Sequence, residues 1–243
     1  MRRALIRAVT PVLPTWLWLA SLVRLTAAEA DFASLRGQMA QTQLAARDIT
    51  NQRVLEVMGT VPRHELVPEE LRRHAYKDGP LPIGHGQTIS QPYIVAFMTQ
   101  ALEPTTNDVV LEIGTGSGYQ AAVLAGLVRQ VYTIEIVEPL ARRAESDLKR
   151  LGYTNVNVRA GDGYKGWPEA APFDAVIVTC APDHVPQPLV DQLKEGGRLI
   201  IPVGPTHDQS LYLLRKRSGK VQRQAVLPVR FVPMTGRAAE RIR

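Results

Sequence analysis

The part of the chain that follows Pro104 alternates short apolar runs with helix-like segments, and this pattern constrains the fold more than any other feature. The apolar runs read DVVLEI, QVYTIEI, VNVRAGDG, FDAVIVT and RLIIPVG. Helix-like segments, YQAAVLAGLV, EPLARRAESDLKRLG and PQPLVDQLKEGG, separate most of them. Strands that alternate with helices over short connections form a parallel sheet covered on both faces. The sequence therefore predicts an α/β fold with a doubly wound, mostly parallel, seven-stranded sheet, whose last two strands (LYLLRKR and a segment near QAVLPVRFVP) run antiparallel.

A glycine-rich string, LEIGTGSG at residues 111–118, directly follows the first predicted strand and opens a helix. Glycine allows a tight turn and a close approach of a ligand to the backbone. In this position the string predicts a Rossmann-like nucleotide site. The spacing E-x-G-x-G-x-G differs from the dinucleotide string G-x-G-x-x-G, which argues against a nicotinamide- or flavin-dependent oxidoreductase.

Two acidic residues indicate which nucleotide ligand the site binds. Glu135 ends the second predicted strand, 21 positions after Gly114, where a carboxylate can accept the ribose hydroxyls. Asp162 lies between two glycines at the end of the third predicted strand, where its side chain can meet the exocyclic amine of an adenine. Ligands bind at the carboxyl ends of such strands, so we predict S-adenosylmethionine as the cofactor and a methyltransferase sheet.

The first hundred residues are organised differently. Residues 31–58 show apolar side chains at helical spacing up to Gly59, and KDGPLPIGHGQTISQP predicts a long irregular loop of functional importance. A helix follows in YIVAFMTQAL, with Ser90 as its expected N-cap. We expect one methyltransferase domain over residues 31–243, with added N-terminal helices and a substrate loop in 31–104 and the cofactor-binding sheet with the C-terminal strands in 105–243.

Residues 1–30 have the pattern of a targeting segment. Three arginines precede an apolar stretch at residues 15–23, and Ala28 and Ala30 offer small residues for cleavage. The stretch is too short for a stable membrane span; the alternatives are a poorly ordered extension or an unused upstream start. We expect a cytoplasmic protein, because S-adenosylmethionine is made there, with export to the periplasm as the alternative.

Charge and composition argue against several other functions. Four of the 29 basic residues and one of the 23 acidic residues lie in the first 30 positions, so the rest of the chain carries only +3 of the net +6. No basic run alternates with aromatic residues, so nucleic acid is not an expected partner. The single cysteine, Cys180, follows an apolar run and is expected to pack as a small hydrophobe, and the histidines show no metal-ligand spacing.

Three further segments resemble the protein-L-isoaspartate O-methyltransferase family, over most of residues 35–236. They are GQTISQPYIVAFMTQAL, RAGDGYKGWPEAAPFDAVIVTCAP and VRFVPMTG. The resemblance implies methyl transfer to the free carboxylate of L-isoaspartyl residues in damaged proteins and peptides, which initiates repair, with D-aspartyl residues as an open second acceptor. It also implies a monomer that binds isoaspartyl proteins and peptides.

The same resemblance assigns the site residues. Ser90 corresponds to the active-site serine, and Val232 and Pro233 to the segment along the peptide substrate. The residues expected to bind the cofactor or line its pocket are Gln87, Thr88, Ile89, Glu112, Gly114, Thr115, Gly116, Ser117, Glu135, Asp162, Gly163 and Thr235. No metal is expected.

The chemistry of the acceptor is consistent with this residue set. A carboxylate is ionised at pH 7 and needs no general base, so we interpret His85 as a loop residue. The string TCAPDHVP lacks the Asn/Asp-Pro-Pro-aromatic pattern of enzymes that methylate nitrogen. Two alternatives stay open: another carboxylate or hydroxyl acceptor, and an exported binding protein without turnover.

Overall fold

The computed structural model describes residues 29–240, and side chains up to residue 238. The predicted leader therefore lies outside the described residues, except for its last two positions. These two residues belong to helix α1, which spans residues 29–38 and continues as a π-helix over Met39–Ala45. No helix in the described range is long and apolar enough to cross a membrane.

The helical run predicted up to Met58 is interrupted. A second helix, α2, covers Gln52–Met58, and the side chain of Asn51 caps it by accepting a hydrogen bond from Val54 N at 3.3 Å. Asparagine competes for backbone donors in helix interiors and favours N-caps, which explains why the helix restarts here. Two short 3₁₀ helices follow, at Arg63–Leu66 and Glu69–His74.

The prediction of an irregular loop at residues 77–92 was wrong, because the segment forms a β-hairpin. Strands β1 (Leu81–Gly84) and β2 (Gln87–Ile89) pair antiparallel. The two turn residues, His85 and Gly86, both have positive φ, 53° and 69°. That backbone matches the twist of a tight two-residue hairpin turn. The hairpin gives the predicted substrate loop a fixed backbone.

Helix α3 spans Pro92–Ala101, and its N-cap is Gln91 rather than Ser90. The proline occupies the first turn, as expected from its fixed φ and missing N–H. Among residues 29–238, no side chain caps this helix. The N-cap prediction for Ser90 was therefore wrong, and its side chain has no part in starting the helix.

The central sheet has seven strands in the order β5-β4-β3-β6-β7-β8-β9. The first five of these pair in parallel, and the last two are antiparallel additions, which confirms the predicted fold class. The elements after α3 are β3 (Val109–Ile113), α4 (Tyr119–Ala125), β4 (Gln130–Glu135), α5 (Glu138–Arg150), β5 (Val156–Ala160), β6 (Phe173–Val178), α6 (Gln187–Asp191), β7 (Leu193–Val203), β8 (Gln209–Arg217), β9 (Lys220–Val229) and α7 (Arg237–Glu240).

The boundary between α6 and β7 differs from the expectation of a helix up to the glycine pair. The helix ends at Asp191, and LKEGG belongs to the strand. Gly196 has a φ of 77°, and the register with β6 shifts between Leu193 and Arg198. The glycines therefore mark an irregularity within a strand and not the end of a helix.

Successive residues of β3 point into two separate cores. Val110 belongs to the cluster that packs under α3, α4 and α5, whereas Leu111 and Ile113 belong to the cluster that packs against α6 and α7. This alternation is the expected result of burying both faces of a parallel sheet. The chain order reverses at β3 and β6, so the crevice between their carboxyl ends is where a ligand is expected.

Candidate active site

A cavity of about 770 Å³, including the part open to solvent, lies at the carboxyl ends of β3, β4 and β6. Its size is that of a small-molecule site. All of the predicted site residues except Asp162 line it: Gln87, Thr88, Ile89, Ser90, Glu112, Gly114, Thr115, Gly116, Ser117, Glu135, Gly163, Val232, Pro233 and Thr235. The fold thus brings together residues from the hairpin, the glycine loop and the C-terminal segment.

The glycine loop is a rigid turn whose conformation depends on its glycines. Gly114, Gly116 and Gly118 have φ values of 96°, 53° and 84°, a region that other residues rarely adopt. The N–H groups of Gly114 and Thr115 both donate to Ile134 O, at 2.8 and 3.2 Å. The loop is therefore tied to the end of β4, and the absence of a Cβ at Gly114 lets Thr179 pack directly against the backbone.

Glu135 connects the two strand ends. Its Oε2 accepts a hydrogen bond from Gly116 N at 2.8 Å, and its Oε1 accepts one from Val137 N at 2.9 Å. The residue is buried but lines the cavity. A carboxylate offers about four acceptor positions, so each oxygen retains a lone pair for a ligand hydroxyl.

Two buried polar residues of the cavity have acceptor oxygens without a partner. Neither carboxyl oxygen of Glu112, nor Oε1 of Gln120, has a hydrogen-bond partner of normal geometry among the described residues. Burial raises the pKa of Glu112 to about 8, while the nearby Thr133 hydroxyl lowers it and the charge of Glu135 raises it. Buried acceptors without donors are costly, and a ligand that presents hydrogen-bond donors and positive charge satisfies them. S-adenosylmethionine, with its ammonium and sulfonium groups, fits this wall.

Thr115 and Ser117 use their side chains within the fold. The Thr115 hydroxyl lies 2.6 Å from that of Thr133, and Ser117 Oγ accepts from Tyr119 N at 3.3 Å. Both residues are buried. Their side chains stabilise the loop, so their contribution to the cavity comes mainly from the backbone.

Asp162 stands beside the cavity rather than in its lining. Its Oδ1 accepts from Tyr164 N, and its Oδ2 accepts from Arg237 N at the start of α7, both at 3.0 Å. The next residue, Gly163, does line the cavity. Asp162 thus fixes the turn that carries Gly163 and also anchors the C-terminal helix.

Ser90 lies where the cavity meets a second, open groove. The groove measures about 1560 Å³, including solvent-open space, and shares Thr88, Ser90, Thr179, Val232 and Pro233 with the first cavity. Within the described part of the chain the Ser90 side chain has no hydrogen-bond partner, and it is half-buried. Its hydroxyl is therefore free to contact a ligand at this boundary.

The segment at residues 231–234 forms the other side of this boundary and is held at two places. The buried side-chain amide of Gln209 accepts from Phe231 N at 2.6 Å and donates to Phe231 O at 3.1 Å. Ala181 N donates to Val232 O, and Met234 N donates to Ala181 O, both at 2.8 Å. The predicted substrate segment is thus a fixed edge of the site.

Sequence reasoning missed several cavity residues, among them Tyr119, Gln120, Ile136, Thr179, Cys180 and Met234. Thr179 follows β6 directly, and its hydroxyl donates to Gly114 O at 2.7 Å. Its place at a strand end was a signal that could have identified it. Gln209 was missed because its partner, Phe231, lies 22 positions away.

Cys180 packs against apolar residues but also lines the cavity, and His85 lies in a turn. Cys180 is half-buried against apolar neighbours, and burial raises the pKa of its thiol to about 12, so it is no thiolate nucleophile. His85 is exposed on the hairpin turn, outside the cavity lining. Within residues 29–240 no cluster of His, Cys, Asp and Glu is arranged to hold a metal ion.

Comparison with known proteins identifies the family. The family model described as protein-L-isoaspartate(D-aspartate) O-methyltransferase matches residues 36–239. The chain belongs to this family. A protein-L-isoaspartate O-methyltransferase from Opitutus terrae is 62% identical over 201 residues, covering 82% of this chain and 86% of the relative. Protein-L-isoaspartate O-methyltransferase 1 from Cupriavidus necator is 52% identical over 242 residues, covering 95% of this chain and 93% of the relative.

A solved structure from Plasmodium falciparum, described as a protein-L-isoaspartate O-methyltransferase in complex with S-adenosyl-L-homocysteine, shares the fold. Its TM-score is 0.72 at 26% identity, with 82% of this chain and 98% of that chain covered. The sequence-based assignment to the protein-L-isoaspartate O-methyltransferase family is thereby confirmed.

Proposed function

We propose that the chain transfers a methyl group from S-adenosylmethionine to the free carboxylate of L-isoaspartyl residues in damaged proteins and peptides, and so initiates their repair. Membership of the family supports the reaction. The observation in this chain that carries the proposal is the boundary at Ser90, where a cofactor-sized cavity meets an open groove. D-aspartate, which the family description includes, is a second acceptor.

The residues of the first cavity suit the cofactor. We assign the ribose to Glu135 and the adenine to the turn of Asp162 and Gly163, whose carboxylate keeps acceptor capacity beyond its two backbone contacts. Glu112 lies on the wall that favours positive charge. When bound, S-adenosylmethionine supplies an electrophilic methyl group on a sulfonium.

The residues of the boundary position the acceptor. An isoaspartyl carboxylate has a reference pKa near 4 and is ionised at pH 7, so the site needs no general base. We assign to the Ser90 hydroxyl a hydrogen bond to one carboxylate oxygen, which leaves the other oxygen to attack. Val232 and Pro233 exclude water from this oxygen. Such positioning can supply about 7–11 kcal/mol of the barrier.

Methyl transfer from labelled S-adenosylmethionine to paired peptides tests the proposal. One peptide contains isoaspartate, and the other contains normal aspartate at the same position. We expect label only in the isoaspartyl peptide, released again by mild base because it is an ester. If neither peptide were methylated, the acceptor assignment would be wrong. If both were methylated equally, the proposed role in repair would be wrong.

The location and the oligomeric state are further proposals. We infer a cytoplasmic protein, because the cofactor is made in the cytoplasm; that the chain is a monomer is a separate proposal. Intact mass of the protein isolated from its cells would show whether residues 1–30 are retained. Sedimentation at several concentrations would show whether the chain self-associates.

A further inference from the structure

The open groove is lined by many apolar residues and carries a positive charge. Its walls include the apolar residues Pro80, Ile94, Pro228, Val229 and Phe231. Among the described residues that line it, Arg230 is the single charged one, and none is Asp or Glu. A polypeptide that lies in this groove therefore meets apolar walls and one positive charge.

Arg230 directly follows β9 and, like Arg217 in β8 and Arg223 in β9, forms no ion pair among the described residues. Arg198, for comparison, pairs with Asp108 at 2.6 Å, and Arg159 pairs with Glu169 at 3.1 Å. Among the described residues, the guanidinium of Arg230 forms neither an ion pair nor a hydrogen bond, and the residue is exposed. Its charge is thus uncompensated by the protein and is available to a bound chain.

The position of Arg230 relative to the acceptor boundary is fixed by its neighbours. The next residue, Phe231, is held at both backbone groups by Gln209. Pro233, three residues after Arg230, lines both the cavity and the groove. Three residues span at most about 10 Å. A substrate residue two or three positions from the isoaspartyl residue covers a similar distance, so its side chain comes within reach of the guanidinium.

We propose that Arg230 determines substrate specificity by favouring isoaspartyl sites with an acidic side chain two or three residues away. The proposal rests on the methyltransferase function given above. The guanidinium attracts Asp or Glu at these positions and repels Lys or Arg. Because the pair is partly exposed to solvent, the preference is moderate and decreases with salt.

Steady-state kinetics on isoaspartyl peptides that carry Glu, Gln or Lys at the flanking position measures this preference. The substitutions are placed two or three residues before or after the isoaspartyl residue. We expect kcat/KM to fall in the order Glu, Gln, Lys on at least one side, by up to about five-fold per step, which corresponds to an exposed ion pair. In about 1 M salt, where the screening length is about 3 Å, the differences should nearly vanish.

Variants of Arg230 separate this proposal from the function on which it rests. Arg230→Gln should remove the Glu-over-Lys preference, Arg230→Glu should invert it, and Arg230→Lys should retain it. Arg217→Gln is the matched control, since it removes the same charge from an exposed residue far from the groove. Gln209, at the start of β8, pairs with the groove residue Val229, and Arg217 lies eight positions further along the strand, about 27 Å away. The preference of Arg217→Gln should equal that of the unmodified protein.

Each outcome of this experiment is informative. If all peptides are methylated but Arg230→Glu leaves their ranking unchanged, the specificity role is overturned while the methyltransferase function stands. If the unmodified protein methylates none of them, the proposed function itself fails. Should Arg230→Glu not fold, as judged by its melting temperature, the comparison of Arg230→Gln with Arg230→Lys still decides the proposal.

Discussion

The two walls of the site are assembled in different ways. The cofactor wall (residues 112–117, Gln120 and Glu135) consists of the end of β3, the turn and first helical residues that follow it, and the end of the neighbouring strand β4. The acceptor wall (Thr88, Ser90 and residues 231–233) joins the end of a hairpin to a segment that follows the last strand. The first wall depends on local backbone conformation, and the second depends on contacts between segments far apart in sequence.

The walls also differ in how well their polar groups are satisfied. The cofactor wall contains Glu112 and Gln120, whose buried oxygens have no partner in the described part of the chain. On the acceptor wall, both backbone groups of Phe231 are paired with Gln209. We infer that the buried oxygens of the cofactor wall are satisfied by its ligand, whereas the backbone of the acceptor wall at Phe231 is already paired before the peptide binds.

Gly114→Ala is expected to have the largest effect, and it acts on the cofactor wall. The added Cβ would lie 2.5 Å from Thr179 Oγ1, at a φ of 96°. Strain of about 1–3 kcal/mol, together with displacement of Thr179, should weaken binding of S-adenosylhomocysteine at least about 100-fold, as measured by calorimetry. Gly152→Ala is the control, because Gly152 has a φ of 83° with nothing within 4 Å. An unchanged affinity in Gly114→Ala would show that the loop conformation does not determine binding.

Glu112→Gln should change how stability depends on pH. The folded pKa of Glu112, about 8, is raised above its ordinary value near 4.5, so the folded state holds the proton more tightly. The stability contributed by this group is complete below about pH 4.5 and is lost as the pH rises towards 8, at no more than about 1.4 kcal/mol per pH unit. Urea unfolding without cofactor should show a decline between pH 5 and 8 that is smaller in Glu112→Gln, by up to about 3–4 kcal/mol. Parallel curves for the two proteins would mean that Glu112 is ionised when folded.

Ser90→Ala should lower turnover without destabilising the protein. The N-cap of α3 is Gln91, so the substitution removes no cap. Loss of one hydrogen bond to a charged acceptor corresponds to about 1.5–3 kcal/mol, or about a 10- to 100-fold lower kcat/KM. Ser90→Thr, which keeps a hydroxyl, should recover part of the activity. Parallel losses of activity and melting temperature would instead indicate a structural role.

Gln209→Leu should have the smallest effect on activity, and it acts on the acceptor wall. It leaves the N–H and C=O of Phe231 unpaired, which costs about 1–3 kcal/mol of stability. The loosened segment should raise KM for an isoaspartyl peptide roughly tenfold, or about 1.4 kcal/mol. The control is Gln130→Leu, which removes a bond from Gln130 Nε2 to Asn155 O at the opposite edge of the sheet and should leave KM unchanged. Equal KM values for the two variants would exclude a role of Gln209 in positioning the segment.

The same difference between the walls explains which parts the sequence predicted. The strands, the glycine loop and Glu135 follow from local apolar runs and spacing, and the structure places them as expected. The clamp of Gln209 on Phe231 carries no local signal, because it depends on the pairing of β8 with β9. The hairpin was missed because its turn uses His85 at positive φ, a conformation that is uncommon for residues other than glycine. The role of Asp162 in anchoring α7 also depends on a contact 75 residues away.

The most direct test of whether the two walls act separately is a crossed measurement. The variant of the cofactor wall is tested for its KM for the peptide, and the variant of the acceptor wall is tested for its affinity for S-adenosylhomocysteine. Gly114→Ala should keep the KM for the isoaspartyl peptide within about two-fold at saturating S-adenosylmethionine, and Gln209→Leu should keep the affinity for S-adenosylhomocysteine within about two-fold, less than about 0.5 kcal/mol. If either variant instead shifted both properties by a similar factor, the two walls would act as one unit and this account of the site would be contradicted.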